Sequence, residues 1–266
     1  MARFRRTIAA ACAALAMVAG MAGGAVAAQC GSTAAGFESW KRQFADEARG
    51  KGVSAAAVAA VMTTNYSGAT IAADRSHGSF GLSLDQFLAK RGGAAIAARG
   101  RALKQSNAAL FASIQQHYGV PPGPLIAIWG METGFGSQRG NQNVLSAVAT
   151  LAYDCRRSAF FTDQLYAALK LIDRGVLSAS TRGSMHGEIG QTQFLPKTIL
   201  DYGHGNLDVA ANALSSTANF LKAHGWRAGA GYQPGEPNFA AIEAWNAASV
   251  YQRAIALIGR QIDGGE

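Results

Sequence analysis

Apolar residues recur along most of this chain at intervals of three and four, the period of an amphipathic helix. Phe37, Trp40, Phe44 and Ala48 form the first such stripe, and Gly50 closes it. Ser54 can cap a short alanine-rich helix to about Met62. Residues 63–83 lose the period and are rich in Thr, Ser, Gly and Asn, which predicts a long surface loop. The period returns over 84–118, broken around Gly92-Gly93 and near Asn107, with Leu110, Ile114 and Tyr118 as its last stripe. Helices are predicted again over 143–152 and 160–173, from an Asp208 cap through about His224, and from about Ser249 to Ile262. Residues 183–197 carry glycines, amides and one proline, so they predict a surface loop or short hairpin feeding a helix that starts near Pro196. The Gly/Pro-rich segment 226–245 predicts irregular structure. The chain is therefore mainly α, with a small irregular or β segment.

One stretch organises the rest. Prolines at 121, 122 and 124 suit a helix start, where the backbone N–H has no intrahelical partner. Leu125, Ile128, Trp129 and Glu132 follow at i, i+3, i+4 and i+7, on one face, and Gly134 and Gly136 end the helix. That face is apolar except at its last position, which is a carboxylate. Such a glutamate is either a solvated or arginine-paired helix-end residue, or a general acid whose proton is held by burial.

Composition narrows the class. Of 266 residues 49% are hydrophobic and 15% charged, which is globular and not disordered. The net charge is +8, and the first 28 residues hold three arginines and no acid, leaving +5 on the remainder. Charge alone admits nucleic acid or an acidic wall polymer as partner. Met-Ala-Arg-Phe-Arg-Arg, an alanine-rich apolar run and Ala25-Val26-Ala27-Ala28 read as a secretory signal peptide over 1–28, with an N-terminal membrane anchor as the alternative. Cys12 falls inside it, and Gln29 before Cys30 does not look like a lipoprotein processing site. Cys30 and Cys155 remain. In an oxidising compartment the pair predicts a disulfide, the alternative being two unrelated thiols. Histidines 77, 117, 186, 204 and 224 have no metal-ligand spacing.

Several motifs now fall in one order. They are Tyr118-Gly119-Val120-Pro121-Pro122, Ile126-Ala127-Ile128-Trp129-Gly130-Met131-Glu132-Thr133-Gly134-Phe135-Gly136, Leu151-Ala152-Tyr153-Asp154 with Arg156-Arg157, and Gly183-Ser184. Gly190-Gln191-Thr192-Gln193-Phe194-Leu195-Pro196, Ala223-His224-Gly225-Trp226, and Trp245-Asn246 with Tyr251 follow. Together they cover roughly residues 37–262, and the chain resembles the lytic murein transglycosylases of the B type, soluble and membrane-bound. The resemblance implies a lysozyme-like α+β catalytic core, with additional N-terminal helices, in a single unit over 29–262. Residues 29–118 would be its helical N-terminal part, 119–262 the core and cleft loops, and 263–266 a tail.

The resemblance also implies the chemistry. Such enzymes cut the β-1,4 bond between N-acetylmuramic acid and N-acetylglucosamine without water and leave a 1,6-anhydro ring. Glu132 would be the acid and then the base. Ser184, Gln193 and Asn246 correspond to polar residues lining the sugar cleft, and Tyr251 to an aromatic near the carboxylate. Arg156 and Arg157 correspond to a pair near the cleft that meets substrate carboxylates; read from the residues alone, they are a solvated turn or a carboxylate fork. The expected partner is the glycan strand in the periplasm, with no cofactor, no nucleic acid, no stable membrane anchor and a monomeric chain. Two departures stand out. Glu188 sits where many relatives carry a small residue, which leaves room for a hydrolytic side reaction. Residues 201–208 hold two Asp and one Asn where some members have an acidic calcium loop, too few oxygens to predict a metal. The rival readings are a lysozyme-like hydrolase and a non-catalytic wall-binding protein.

Overall fold

The computed structural model describes residues 28–76 and 81–265; the signal-peptide reading and Cys12 lie outside them, apart from Ala28. The described residues contain thirteen α-helices and one two-stranded antiparallel sheet. The helix at the centre is α7 (Pro122–Thr133), reached after α1 (Phe37–Gly50), α2 (Ala55–Met62), α3 (Gly68–Asp74), α4 (Leu84–Arg91), α5 (Gly93–Ser106) and α6 (Ala108–Tyr118). Then come α8 (Val144–Tyr153), α9 (Ser158–Asp173), α10 (Pro196–Tyr202), α11 (Ala210–Ala223), α12 (Phe239–Trp245) and α13 (Ser249–Asp263).

Helix α7 starts with Pro122 at its first position and ends on Gly134 in the left-handed conformation, as its sequence predicts. Its surroundings differ from the single apolar face. Leu125, Ile126, Ala127 and Ile128 are all fully buried, because α13, α5 and α11 pack against it from separate sides. A helix apolar all round belongs in a core. Gly123 and Gly259 make the α7–α13 contact close: a Cβ on Gly123 would stand 2.3 Å from the Gly259 carbonyl oxygen. The Asp263 carboxylate, at the end of α13, accepts the Gly123 N–H at 2.9 Å. It satisfies one of the N-terminal donors that the prolines leave without an intrahelical partner.

Around this axis α8 packs on α9, α1 on α2, and α10 on α9. Phe37, Trp40 and Phe44 stack in sequence and meet Tyr153 and Tyr166, so the first stripe is core. Cys30 and Cys155 form a disulfide that closes a separation of 125 residues. Beside it Gly31 and Asp154 form a parallel bridge. Strands β1 (Gln142–Asn143) and β2 (Arg182–Gly183) pair Gln142 with Gly183 and Asn143 with Arg182.

Three local expectations are corrected. The predicted loop 63–83 contains α3, capped by the Ser67 hydroxyl accepting from the Thr70 N–H. Tertiary burial of Thr70, Ile71 and Asp74 holds this short helix despite its weak propensity. Asp208 does not cap α11; Val209 takes that place with no side-chain bond, and Asp208 pairs with Arg139 at 2.8 Å. The segment 226–245 contains α12, whose Ala241 and Ile242 are buried against the core.

Candidate active site

Glu132 lies in the last turn of α7, next to Thr133. The Thr133 hydroxyl donates to the Gln191 carbonyl at 2.6 Å and accepts the Gly136 N–H at 2.8 Å. Trp129 Nε1 donates to Gln191 Oε1 at 2.8 Å, and Gln191 Nε2 donates to the Asp208 carbonyl. The Gly-Gln-Thr-Gln run is thus clamped to the end of the helix that carries the carboxylate. Gly136 must lack a side chain, since a Cβ there would stand 2.0 Å from Gln191 Oε1 and its φ is +84°. The run itself is a tight hairpin, with Ile189 and Phe194 exchanging both backbone hydrogen bonds. Among the described residues only Phe135 and Gln193 are non-glycines with positive φ, at 62° and 56°, one on each side of this clamp. Backbone strain of this kind persists where the surroundings over-determine it, and it gathers at functional sites.

The clamp sets one wall of a cleft of about 270 Å³. Glu132, Glu188, Gln193, Asn246, Trp245 and Phe160 are among its lining residues. Trp245 is braced by Phe194 and Phe220 and donates its Nε1–H to Glu132 Oε1 at 3.1 Å. Glu132 is part-exposed into the cleft and packed on its other sides. Burial is the main reason its pKa rises from 4.5 to about 7; the nearby Glu188 charge adds to the rise. Trp245, Tyr251 and the Arg91 charge pull it back in part. The Tyr251 hydroxyl is buried without a partner in hydrogen-bond geometry. It is still close enough to Glu132 for each to shift the other, and its own pKa is pushed well above 10 by burial and by that carboxylate.

The predicted residues divide into two groups. Gln193 and Asn246 line the cleft with Glu132, and Tyr251 sits behind it. Ser184 reaches the cleft through Glu188, to whose Oε2 its hydroxyl donates at 2.8 Å. Arg156 and Arg157 are not among the lining residues. Both bind the buried Asp74 carboxylate at the end of α3, Arg157 at 3.1 Å, so their fork is filled from within the chain. Arg157 also lies 5.1 Å from the ring centre of Phe160, one of the residues that line the cleft.

Sequence reasoning missed Arg91, a basic residue in the last turn of α4, and Phe160, which is 45% exposed and lines the cleft. A larger cavity of about 600 Å³ lies between α9 and the 203–208 connection. Its one acid, Asp208, is taken by Arg139, so it lacks a free acid for catalysis. Among the described residues no three His, Cys, Asp or Glu converge on a metal position, and Asp201 is paired with Lys197.

Comparison with known proteins bears on the family and the fold. A family model described as the transglycosylase SLT domain matches residues 36–235. Membrane-bound lytic murein transglycosylase B of Escherichia coli (strain K12) is 36% identical over 139 residues, 46% of this chain and 38% of that protein, so the match spans well under half of that relative's length. The crystal structure of SltB3 from Pseudomonas aeruginosa in complex with NAG-anhNAM-pentapeptide superposes with TM-score 0.78 at 28% identity, over 86% of this chain and 80% of that one. The Escherichia coli lytic transglycosylase Slt35 in complex with bulgecin A shares the fold, with TM-score 0.74 at 22% identity over 89% and 96% of the two chains.

Proposed function

The chain belongs to the transglycosylase SLT domain family, and from that premise we propose that it is a lytic murein transglycosylase. It cleaves the β-1,4 bond between N-acetylmuramic acid and N-acetylglucosamine and leaves 1,6-anhydromuramoyl ends. The observation that carries this reading is the Glu132 carboxyl, raised to about 7 in a cleft where Trp245 fixes its orientation. A carboxyl with that affinity holds a proton near neutral pH and can release it to a leaving oxygen.

Glu132 protonates the glycosidic oxygen as the bond breaks. The resulting carboxylate takes the proton of the muramoyl C6 hydroxyl as that oxygen attacks the anomeric carbon. One residue serves twice, and intramolecular attack replaces a nucleophilic carboxylate. Gln193 and Asn246 orient the sugar, Trp245 steadies the carboxylate form, and Tyr251 limits water behind it. Arg156 and Arg157 act on the cleft only indirectly, by fixing α3 and the Phe160 edge. Glycan strands are the partner. SltB3 structures with NAG-anhNAM-pentapeptide and NAG-NAM-pentapeptide support that substrate class. An exported, periplasmic location is consistent with the Cys30–Cys155 disulfide and with the signal-like N-terminus. No helix among the described residues is long and apolar enough to cross a membrane.

The test is mass spectrometry of muropeptides released from purified peptidoglycan. Wild type should yield anhydro ends. Glu132→Gln should lose at least the roughly 10²–10⁴-fold attributed to general acid–base catalysis. A folded Gln variant with near-normal turnover rules the assignment out.

A further inference from the structure

The Glu132 cleft holds a second carboxylate that the anhydro reaction leaves unused. Glu188 lines the same 270 Å³ space and acts on the Glu132 charge, while the two carboxyls make no hydrogen bond to each other. They are therefore neighbours with a gap between them.

Glu188 is also held rigidly. Its N–H donates to the Ser184 hydroxyl at 3.0 Å, and its carbonyl accepts the Ser184 N–H at 2.9 Å. Its Oε2 accepts the Ser184 O–H at 2.8 Å. Gly183 packs so closely that a Cβ would stand 2.1 Å from the Glu188 carbonyl oxygen. Its other carboxylate oxygen has no hydrogen-bond donor among the described residues. A carboxylate locked at one oxygen and free at the other, lining the same cleft as the Glu132 carboxyl, supplies the second acid that a water-activating glycosidase needs.

Resting on the transglycosylase reading, we infer that Glu188 gives this cleft a second, hydrolytic outcome: it directs a water onto the anomeric carbon, so that a fraction of cuts end in reducing muramic acid. In that branch Glu132 gives its proton to the glycosidic oxygen as the C1–O bond breaks. The water oxygen bonds to C1 and its proton passes to Glu188. Solvent exchange returns that proton to Glu132. One water is consumed, and each new end carries a hydroxyl. The branch competes with the C6 hydroxyl for a single intermediate, so the partition between ends, not the total rate, reports on Glu188. A residue that merely closed the Ser184 turn would change folding stability and leave the partition alone.

The experiment is digestion of purified peptidoglycan in ¹⁸O-water by the full mature protein, with quantification of new ends by mass spectrometry. Pre-formed reducing muropeptides incubated alongside correct for exchange. Wild type should give anhydro ends, one water lighter, together with reducing ends that carry ¹⁸O. Glu188→Gln, which keeps the Ser184 bond, should cut the labelled fraction about tenfold or more relative to anhydro ends. Glu188→Asp should retain part of it. Anhydro ends with no labelled ends from wild type overturn the inference and leave the transglycosylase reading standing. An unchanged labelled fraction in Glu188→Gln overturns it as well. Labelled ends with no anhydro ends overturn the transglycosylase reading instead, and Glu188 is then judged on whether its Gln variant removes the label.

Discussion

Two substitutions beside Glu132 should move its titration in opposite directions. With a pKa of about 7, half of Glu132 is protonated at pH 7. At its ordinary 4.5 only about 0.3% would be, a difference of about 150-fold in competent enzyme. The kcat/KM for anhydro-end formation should therefore fall with a limb near pH 7, and at pH 8 about a tenth of the acid form remains. Glu188→Gln removes a like charge that disfavours the ionised form, so the limb should move to lower pH. Burial is the larger cause and persists, so the limb should remain above the ordinary carboxylate range. Trp245→Phe removes the donor at 3.1 Å that favours the ionised form, so its limb should move to higher pH. Arg91 and Tyr251 also face this carboxylate and stay unchanged in both variants. The assay is the initial rate of anhydro-end formation from pH 4 to 9, with folding checked at each pH. A wild-type limb near 4.5, or two variants that shift in the same direction, would refute the assignment of causes.

Other consequences are open to measurement. Glu132 binds its proton more tightly folded than unfolded, so its contribution to stability declines as pH rises from about 4.5 through about 7. Glu132→Gln should then be more stable than wild type at pH 8 by at most about 3 kcal/mol and not at pH 4, read from thermal unfolding; equal gaps at both pH values would contradict the shift. Opening the disulfide with Cys30→Ala/Cys155→Ala, across a separation of 125 residues, should cost up to about 5 kcal/mol in the chain-entropy model. That corresponds to a Tm lower by roughly 10–20 °C in calorimetry, and a drop of a degree or two would count against it. Gly136→Ala should abolish most activity and lower stability by about 1–3 kcal/mol, because its Cβ meets Gln191 and its φ is positive. A fully active, equally stable variant would show that the clamp tolerates displacement.

Local chemistry alone determined much of this protein. The proline start and glycine end of α7, the breaks at Gly92 and near Asn107, and the tight hairpin before Pro196 each depend on residues within a few positions of one another. Sequence also singled out Glu132, since a carboxylate closing an apolar stripe is conspicuous within one helix. Tertiary structure decided what that carboxylate is. Its proton affinity comes from burial by helices that α7 cannot choose and from Glu188, and is trimmed by Trp245, 113 residues away, and by Tyr251. The same holds for Arg156 and Arg157. Their adjacency left a solvated turn and a carboxylate fork both open; the structure gives the fork, and the carboxylate in it is Asp74, at the end of α3. Helices α3 and α12 escaped the periodicity because each is only seven residues long, too short to show a stripe or to stand without burial against distant partners. Residue types and spacings fix which turns and helices can form. Which side chains share a cleft depends on how the helices close around α7, and sequence separation carries no record of that.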